Sequence, residues 1–406
     1  MTGELEKDSS TELPVVRLRK TAGARAIRHG FPWAYASEVV ADRRTKKLDP
    51  GTIARLEDAD RGSLGTVAVN PLSKIFCRIL DARADAVIDA AWLAERLAAA
   101  QSLRARLFGQ PYYRLVHAEA DGLPGVIVDR FGDVLVIQPN AAWADKLLEP
   151  LADAALKVTG AGAVVLNASG RARSLEGLDD VSRCLRGEAP RVLNVPMNGA
   201  IYRADLLGGQ KTGLFYDQRP NHAFVQRLAD GARVLDVFSH VGGFGLAALA
   251  GGARSALAVD ASAAALELAA EGAEAMGRAG NFDTRQGDAF DVMTALAGEG
   301  ARFDIVICDP PAFAPHKGAL EAGLRAYERV ARLAAPLVEP SGYLVVCSCS
   351  HAADLAAFRA ASVRGIGRAG RRAQLIHTGF AGPDHPQHPQ LAESGYLKTL
   401  AFRFLP

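Results

Sequence analysis

The feature that most constrains this chain is a pattern that recurs after residue 190: a short strand-like run, then a turn with Gly, Asp or Pro, then an Ala-rich stretch of helical length. The strand-like runs are 233–238, 256–260, 283–286, 303–309 and 342–348, and two more, 373–378 and 396–404, close the chain. Strands that alternate with helices predict an α/β fold, a parallel sheet covered on both faces. The chain has the material for such a core, with 49% hydrophobic and 23% charged residues among 406.

The first unit carries a tight turn. Arg233-Val-Leu-Asp-Val-Phe-Ser-His-Val-Gly-Gly-Phe-Gly places a buried strand, the pair Gly242-Gly243 and then a helix, so the backbone can approach a ligand and a helix N-terminus can face its negative groups. The spacing is not the G-x-G-x-x-G of dinucleotide enzymes, and such a turn alone is a weak signal. Acids at the carboxyl ends of successive strands strengthen it: Asp236, then Asp260, Asp288 and Asp309, the last in Asp309-Pro310-Pro311-Ala312-Phe313. For one such Asp a helix N-cap is favoured by about two to one. Four in register, converging on one crevice, favour an adenosyl ligand that needs acceptors for its hydroxyls and amine. The order strand-GG, strand-Asp, strand-GD, strand-DPPxF resembles class I S-adenosylmethionine-dependent methyltransferases. That resemblance brings Gly242 to the methionine end of the cofactor, Asp260 to the ribose and Asp288 to the adenine amine.

Upstream of this unit the charge is uneven. The whole chain carries 47 Lys+Arg against 45 Asp+Glu, a formal +2, yet residues 13–84 hold fourteen basic and seven acidic residues and residues 1–12 carry −3. A basic module of short strands and Gly, Pro and Asp turns therefore precedes a mildly acidic body, a pattern that suits a small barrel. An inert basic surface is the plainer alternative. Residues 85–190 mix helical runs at 92–107 and 142–158 with strands at 113–116, 125–130, 134–138 and 163–167, an α+β unit ending in a polar stretch. The first twelve residues are expected to be a disordered tail. No apolar run approaches the ~18 residues of a membrane span, and the start lacks the features of a signal peptide. Five cysteines without C-x-x-C pairs point to free thiols in a cytoplasmic protein with no metal site.

Two motifs address the methyl acceptor. Asp-Pro-Pro-(Tyr/Phe) occurs in methyltransferases of planar amines, where the loop accepts hydrogen bonds from an exocyclic amino group, and it directs the substrate towards a nucleobase. The next strand ends Cys347-Ser348-Cys349-Ser350. Carbon 5 of a pyrimidine is a poor nucleophile, so its methylation requires a thiolate adduct at carbon 6, whereas a nitrogen acceptor needs no cysteine. Buried Cys is equally a small apolar core residue, and strand alternation puts Cys347 and Cys349 on one face, so periodicity does not separate them. Three functions stay open at this point: a cytosine carbon-5 methyltransferase, an RNA amine methyltransferase using the DPPxF loop without covalent catalysis, and a non-catalytic ribosome assembly factor that retains the fold.

Nearly the whole chain resembles the RlmI (YccW-like) family of 23S ribosomal RNA cytosine-5 methyltransferases. The resemblance is carried by Arg28-His-Gly-Phe-Pro-Trp33, Asp121-Gly-Leu-Pro-Gly-Val-Ile-Val-Asp-Arg130, Gly209-Gln-Lys-Thr-Gly-Leu-Phe-Tyr-Asp-Gln-Arg219, Phe238-Ser-His-Val-Gly-Gly-Phe244, Asp309-Pro-Pro-Ala-Phe313, Ser348-Cys-Ser350 and Asp384-His-Pro386. It implies a PUA domain over 13–84, a central EEHEE domain over 85–190 and a Rossmann-like methyltransferase domain over 191–406. It also implies S-adenosylmethionine as cofactor, held by Asp236, Phe238, Gly242, Gly243, Asp260, Asp288 and Asp309, and Cys349 as nucleophile with Asp309 beside it. Large-subunit ribosomal RNA is the implied partner, met by Arg17, Arg19, Lys20 and Arg28 in the first domain and by Lys211, Arg219, Pro310 and Phe313 near the target base, which would be flipped or single-stranded. Asp384-His385-Pro386 is expected at the rim of the base pocket. The chain departs from the family pattern at Cys347, where an aromatic is usual, and at His240-Val241, in place of Tyr-Thr. Oligomeric state stays open, a homodimer being one option, and no residue stands out as the base for the carbon 5 proton.

Overall fold

The computed structural model describes residues 12–208 and 213–406. Its first sheet contains β1 (Val15–Arg17), β2 (Trp33–Tyr35), β3 (Thr52–Glu57), β4 (Ser63–Val69) and β5 (Ile75–Asp81) in the order β1-β3-β4-β5-β2. These strands close over a small apolar core that includes Val16, Leu56, Val67 and Phe76. A central sheet follows, ordered β10-β9-β8-β7-β6, from β6 (Tyr112–His117), β7 (Val126–Phe131), β8 (Val134–Pro139), β9 (Ala163–Ala168) and β10 (Val181–Arg186). Its one parallel pair, β8 with β9, is bridged by the helix Leu148–Thr159.

Two departures from the sequence expectation have local causes. The helix expected over 142–158 is two helices, Ala142–Lys146 and Leu148–Thr159. Pro150 explains the break, since its ring displaces the carbonyl four residues back and it has no N–H to donate. The polar stretch after 170 contains β10, an edge strand exposed along most of its length, whose mixed polarity hides the period-two signal.

A hairpin absent from the sequence reading comes next, β11 (Val192–Met197) paired with β12 (Ala200–Asp205). Its turn, Asn198-Gly199, has φ of 53° and 74°, the double left-handed turn that Asn-Gly favours between twisted strands. The hairpin matters because its apolar face lies within one continuous core. Phe131, Val136 and Val165 of the central sheet, Val195, Met197 and Tyr202 of the hairpin, and Val234, Phe244 and Leu246 beyond it belong to the same buried cluster.

The last sheet has seven strands: β13 (Arg233–Val237), β14 (Ser255–Asp260), β15 (Phe282–Gln286), β16 (Phe303–Cys308), β17 (Val338–Ser348), β18 (Ala373–Gly379) and β19 (Lys398–Phe404). Their order is β15-β14-β13-β16-β17-β19-β18, parallel up to β17, with β19 antiparallel to both β17 and β18. The chain builds outward from β13 on one side, then returns to place β16 on the other. The carboxyl ends of β13 and β16 thus flank the switch point at which open α/β sheets bind ligands. Among the described residues no helix is long and apolar enough to cross a membrane.

The segment around Asp384 clasps this sheet to the central one. Arg104, fully buried, directs both terminal nitrogens at Asp121 (2.6 and 2.8 Å) and donates to the carbonyls of Arg114 (2.9 Å) and Asp384 (2.8 Å). Asp384 in turn accepts from the Arg114 amide at 3.1 Å and contacts His385 Nδ1 at 3.0 Å. Asp384 and His385 are therefore buried at the junction of the sheets, where they fasten rather than shape the rim of a base pocket. Replacement Arg104→Met leaves the Asp121 carboxylate buried without its cation and is expected to cost about 3–5 kcal/mol, read from urea unfolding.

Candidate active site

Along the carboxyl ends of the parallel strands runs a cavity of about 740 Å³, inside the roughly 300–1,000 Å³ range of small-molecule sites. Phe238, Gly243, Asp260, Asp288, Asp309, Pro310 and Cys349 of the sequence-derived set line it. The turn that opens it is strained: Phe238 and His240 have φ of 62° and 51°, and Gly242 has 79°. Left-handed backbone at non-glycine residues costs energy and persists only where the surroundings impose it. Here the surroundings are β14, since Ser239 N donates to Val259 O at 3.0 Å and His240 N to Asp260 Oδ2 at 2.8 Å.

The two glycines differ in position. A Cβ on Gly242 would meet Ala269 and Leu246 at 3.1 Å, so this residue serves helix packing beneath the cavity. Gly243 lines the cavity, and a Cβ there would lie 3.0 Å from His222 Nε2. Asp236 also lies outside the wall. It is fully buried and accepts from Gly245 N at 2.8 Å. Burial, aided by the nearby charges of Asp309 and Asp260, pushes its carboxyl up to about 7.

Asp260 and Asp288 satisfy the capping and the ligand readings together. Asp260 accepts His240 N on Oδ2 and Ser262 N on Oδ1, and Asp288 Oδ1 caps the helix Ala289–Gly298 through Phe290 N and Asp291 N. A carboxylate has about four lone-pair sites, so both retain acceptor capacity while the backbone fixes their orientation. Asp309 Oδ2 accepts from Gln218 Nε2 at 2.9 Å.

Beyond β16, Pro310 O lies 3.9 Å from Cys349 Sγ. Phe313 is not among the residues lining the cavity and packs among Phe238, Phe290 and Tyr327, with ring centroids 6.5, 6.3 and 5.0 Å away. The two thiols that sequence periodicity left equivalent are separated because β17 ends at Ser348. Cys347, still in the strand, is buried against Thr399 Oγ1 at 3.3 Å, and burial holds its thiol well above the ordinary value. Cys349, one residue past the strand, is partly exposed and faces the cavity. Cys308 is core, its thiol likewise raised by burial.

The flanking serines anchor this loop. Ser348 Oγ donates to Tyr327 OH at 2.9 Å, and Ser350 Oγ lies 2.7 Å from the same hydroxyl while accepting Ala314 N at 2.9 Å. The loops after β16 and β17 are thereby tied through one tyrosine. The wall also holds residues the sequence did not single out: Ser239, His222 and Tyr396. Tyr396 OH donates to Asp217 Oδ2 at 2.6 Å. Burial brings the His222 imidazole down to about 3, so it is neutral. Their only sequence signal was proximity to the motifs.

The proposed RNA contacts are more scattered. Arg19 and Lys20 are exposed, whereas Arg17 pairs with Glu57 at 2.8 Å and Arg28 with Asp58. Trp33 donates its indole N–H to Glu119 at 2.9 Å, and Arg78 bridges Glu119 and Glu176, so this aromatic fastens the first sheet to the central one. Arg219 is partly buried, donates to Tyr112 O and lies over the Phe108 and Tyr216 rings. Those contacts direct it to the junction with the central sheet. Lys211 lies outside the described residues. Among the described residues no cluster of His, Cys, Asp and Glu could hold a metal.

Residues 114–403 match the family model of S-adenosylmethionine-dependent methyltransferases, and 16–82 match that of a PUA-like domain. The chain belongs to this methyltransferase family. S-adenosylmethionine is its cofactor, and the cavity suits that molecule. Rigid acceptors stand at Asp260 and Asp288, and two buried wall atoms, Ser239 Oγ and His222 Nδ1, have no hydrogen-bond partner among the described residues. The methyltransferase is 36% identical over 405 residues to "Ribosomal RNA large subunit methyltransferase" of Deinococcus radiodurans, covering 96% of this chain and 98% of that one. It is 33% identical to "Ribosomal RNA large subunit methyltransferase I" of Erwinia tasmaniensis, covering 94% and 97%. A solved chain from Streptococcus mutans, described as a SAM-dependent methyltransferase, shares the fold with a TM-score of 0.81 at 20% identity, covering 96% of this chain and 100% of that one.

The raised Asp236 carboxyl makes stability depend on pH. The folded methyltransferase holds this proton more tightly than the unfolded chain, so the contribution is greatest below pH 3.8 and is lost as pH rises towards about 7. Asp236→Asn keeps an acceptor for Gly245 but has no proton to lose. Its melting temperature relative to wild type should increase between pH 5 and pH 8 in scanning calorimetry.

Proposed function

We propose that this methyltransferase transfers a methyl group to carbon 5 of a cytosine in large-subunit ribosomal RNA, through a covalent adduct on Cys349. The observation that carries the reading is one partly exposed thiol on an anchored loop, in the same cavity wall as the Asp309-Pro310 turn. The names of the relatives support the class of RNA. An amine acceptor would need the Asp-Pro-Pro loop but no thiol beside it.

When bound, S-adenosylmethionine supplies an electrophilic methyl group. In our reading Asp260 orients its ribose, Asp288 its adenine amine, and Ser239, His222 and the Gly243 backbone its amino-acid end. Asp309, steadied by Gln218, accepts from the cytosine amino group and holds the ring edge-on to the thiol. The Cys349 thiolate forms a bond to carbon 6, and the electron pair released by the ring double bond makes carbon 5 nucleophilic. After methylation the carbon 5 proton is lost to a base, the double bond re-forms and the carbon–sulfur bond breaks, returning the thiolate. Pro310 packs beside the base in the same wall, while Phe313 stiffens the loop from beneath.

We further propose that residues 13–84 hold RNA phosphates through Arg19 and Lys20, with Arg17 and Arg28 exchanging their carboxylate partners for phosphate, that 85–190 link this module to the catalytic part, and that 191–406 carry the chemistry. Such contacts give salt-dependent affinity without base readout. The target cytosine must leave any helix to reach the cavity.

Cys349→Ala should lower 5-methylcytosine formation by at least about 10³-fold, whereas Cys347→Ala should retain activity within about tenfold. Bisulfite mapping of ribosomal RNA from cells with and without the gene reads the site. RNA carrying 5-fluorocytosine should trap a denaturant-stable adduct with the wild-type enzyme and with Cys347→Ala only. Methylation of an exocyclic amine, with no adduct, would establish the amine reading instead.

A further inference from the structure

A buried cation lies directly under the loop that presents Cys349. Lys398 opens β19 opposite Ser348 of β17 and is 4% exposed. Its Nζ donates to the carbonyls of Ser350 and Ala353, each at 2.7 Å. No salt bridge to a carboxylate is found for it among the described residues; the charges that act on it favourably are Cys349 and, more weakly, Asp354. A buried ammonium without a close carboxylate is costly unless some other negative charge forms beside it. The carbonyl bonds come from the loop flanking the thiol, so the ammonium is held in place by the segment it underlies.

We propose that Lys398 is a positioning residue for Cys349: its buried ammonium fixes the loop and supplies the positive charge against which the thiolate forms. The thiol proton leaves to water in the cavity, and the Lys398 proton stays on Nζ. This deepens the covalent reading of Cys349 and rests on it for its catalytic meaning, though the coupling of the two groups can be measured without catalysis. Among the described residues, Tyr396, Tyr327 and Asp309 beside Cys349 supply no positive charge. Tyr396 is hydrogen-bonded to Asp217, Tyr327 to the flanking serines, and Asp309 is itself acidic. Burial pulls Lys398 down to about 8, so it is mostly charged at neutral pH and loses that charge above it.

The test is the rate of Cys349 alkylation by iodoacetamide from pH 5.5 to 9.5, read on its own peptide by mass spectrometry. Exposed Cys184 serves as an internal control in the same digest. Lys398→Met should lower alkylation of Cys349 at pH 7 by about tenfold and move its midpoint up by about one pH unit, with Cys184 unchanged. Methylation should fall in parallel and recover at alkaline pH. Lys398→Arg, charged at every pH, should stay within about threefold of wild type at pH 7. An unchanged Cys349 midpoint in a folded Lys398→Met protein, or an equal loss in Lys398→Arg, would overturn the proposal. Should Lys398→Met not fold, the Lys398→Arg profile decides alone. If a Cys349→Ser enzyme still methylated carbon 5, the covalent reading would fall while the alkylation result stood, so the two failures are distinguishable.

Discussion

The chemistry of this molecule depends on two loops, from the neighbouring parallel strands β16 and β17, being held at one separation. A single hydroxyl does most of this. Tyr327 OH lies within hydrogen-bonding distance of both Ser348 and Ser350, and Ser350 also takes the amide of Ala314 from the opposite loop. The tyrosine is buried beneath both loops, where water does not compete for these bonds. With the serines pinned, the residue between them can only project into the crevice. A Ser-Cys-Ser triplet is thus a mounting as well as a reagent. The same logic explains why Phe313 lies under its loop: the Pro-Pro turn is supported by an aromatic layer rather than extended by one.

The carboxylates at the strand ends show a second economy. Asp260 and Asp288 take backbone amides that would otherwise be orphaned at a turn and a helix start, and these bonds aim their remaining lone pairs at the crevice. Structural and ligand-binding roles are here two uses of one group. Asp236 has gone the other way, withdrawn entirely to the floor, where its proton and not its charge is favoured.

Much of this was legible in the chain itself. The inner strands of the last sheet announce themselves by apolar runs, and the acids at the strand ends by register, because strands buried on both faces leave little choice of composition; the edge strands β15 and β18 are of mixed polarity and partly exposed. Periodicity alone could not tell Cys347 from Cys349, and only the Ser348-Cys-Ser350 resemblance singled out the second, since the physical distinction depends on where β17 stops, at a loop anchored through Tyr327. Lys398 and His222 carried no motif at all; burial alone gives them meaning. Asn198-Gly199, by contrast, is a local hairpin signal that needs no tertiary contact to be legible. The roles of Arg219 and Asp384 turned on contacts with residues over a hundred positions away, Tyr112 for one and Arg104 for the other.

The β11–β12 hairpin has a consequence for how the molecule can be divided. By chain position residue 190 is a natural place to cut, and the polar residues around it look like a linker. Energetically it is nothing of the kind, because the hairpin fills a seam whose other wall is the apolar face of β7, β8 and β9. A catalytic fragment beginning at 191 would carry one half of that seam into solvent, and a fragment ending at 190 would carry the other. The crevice-bearing sheet and the central sheet share one apolar core, so truncation between them would expose part of that core to water.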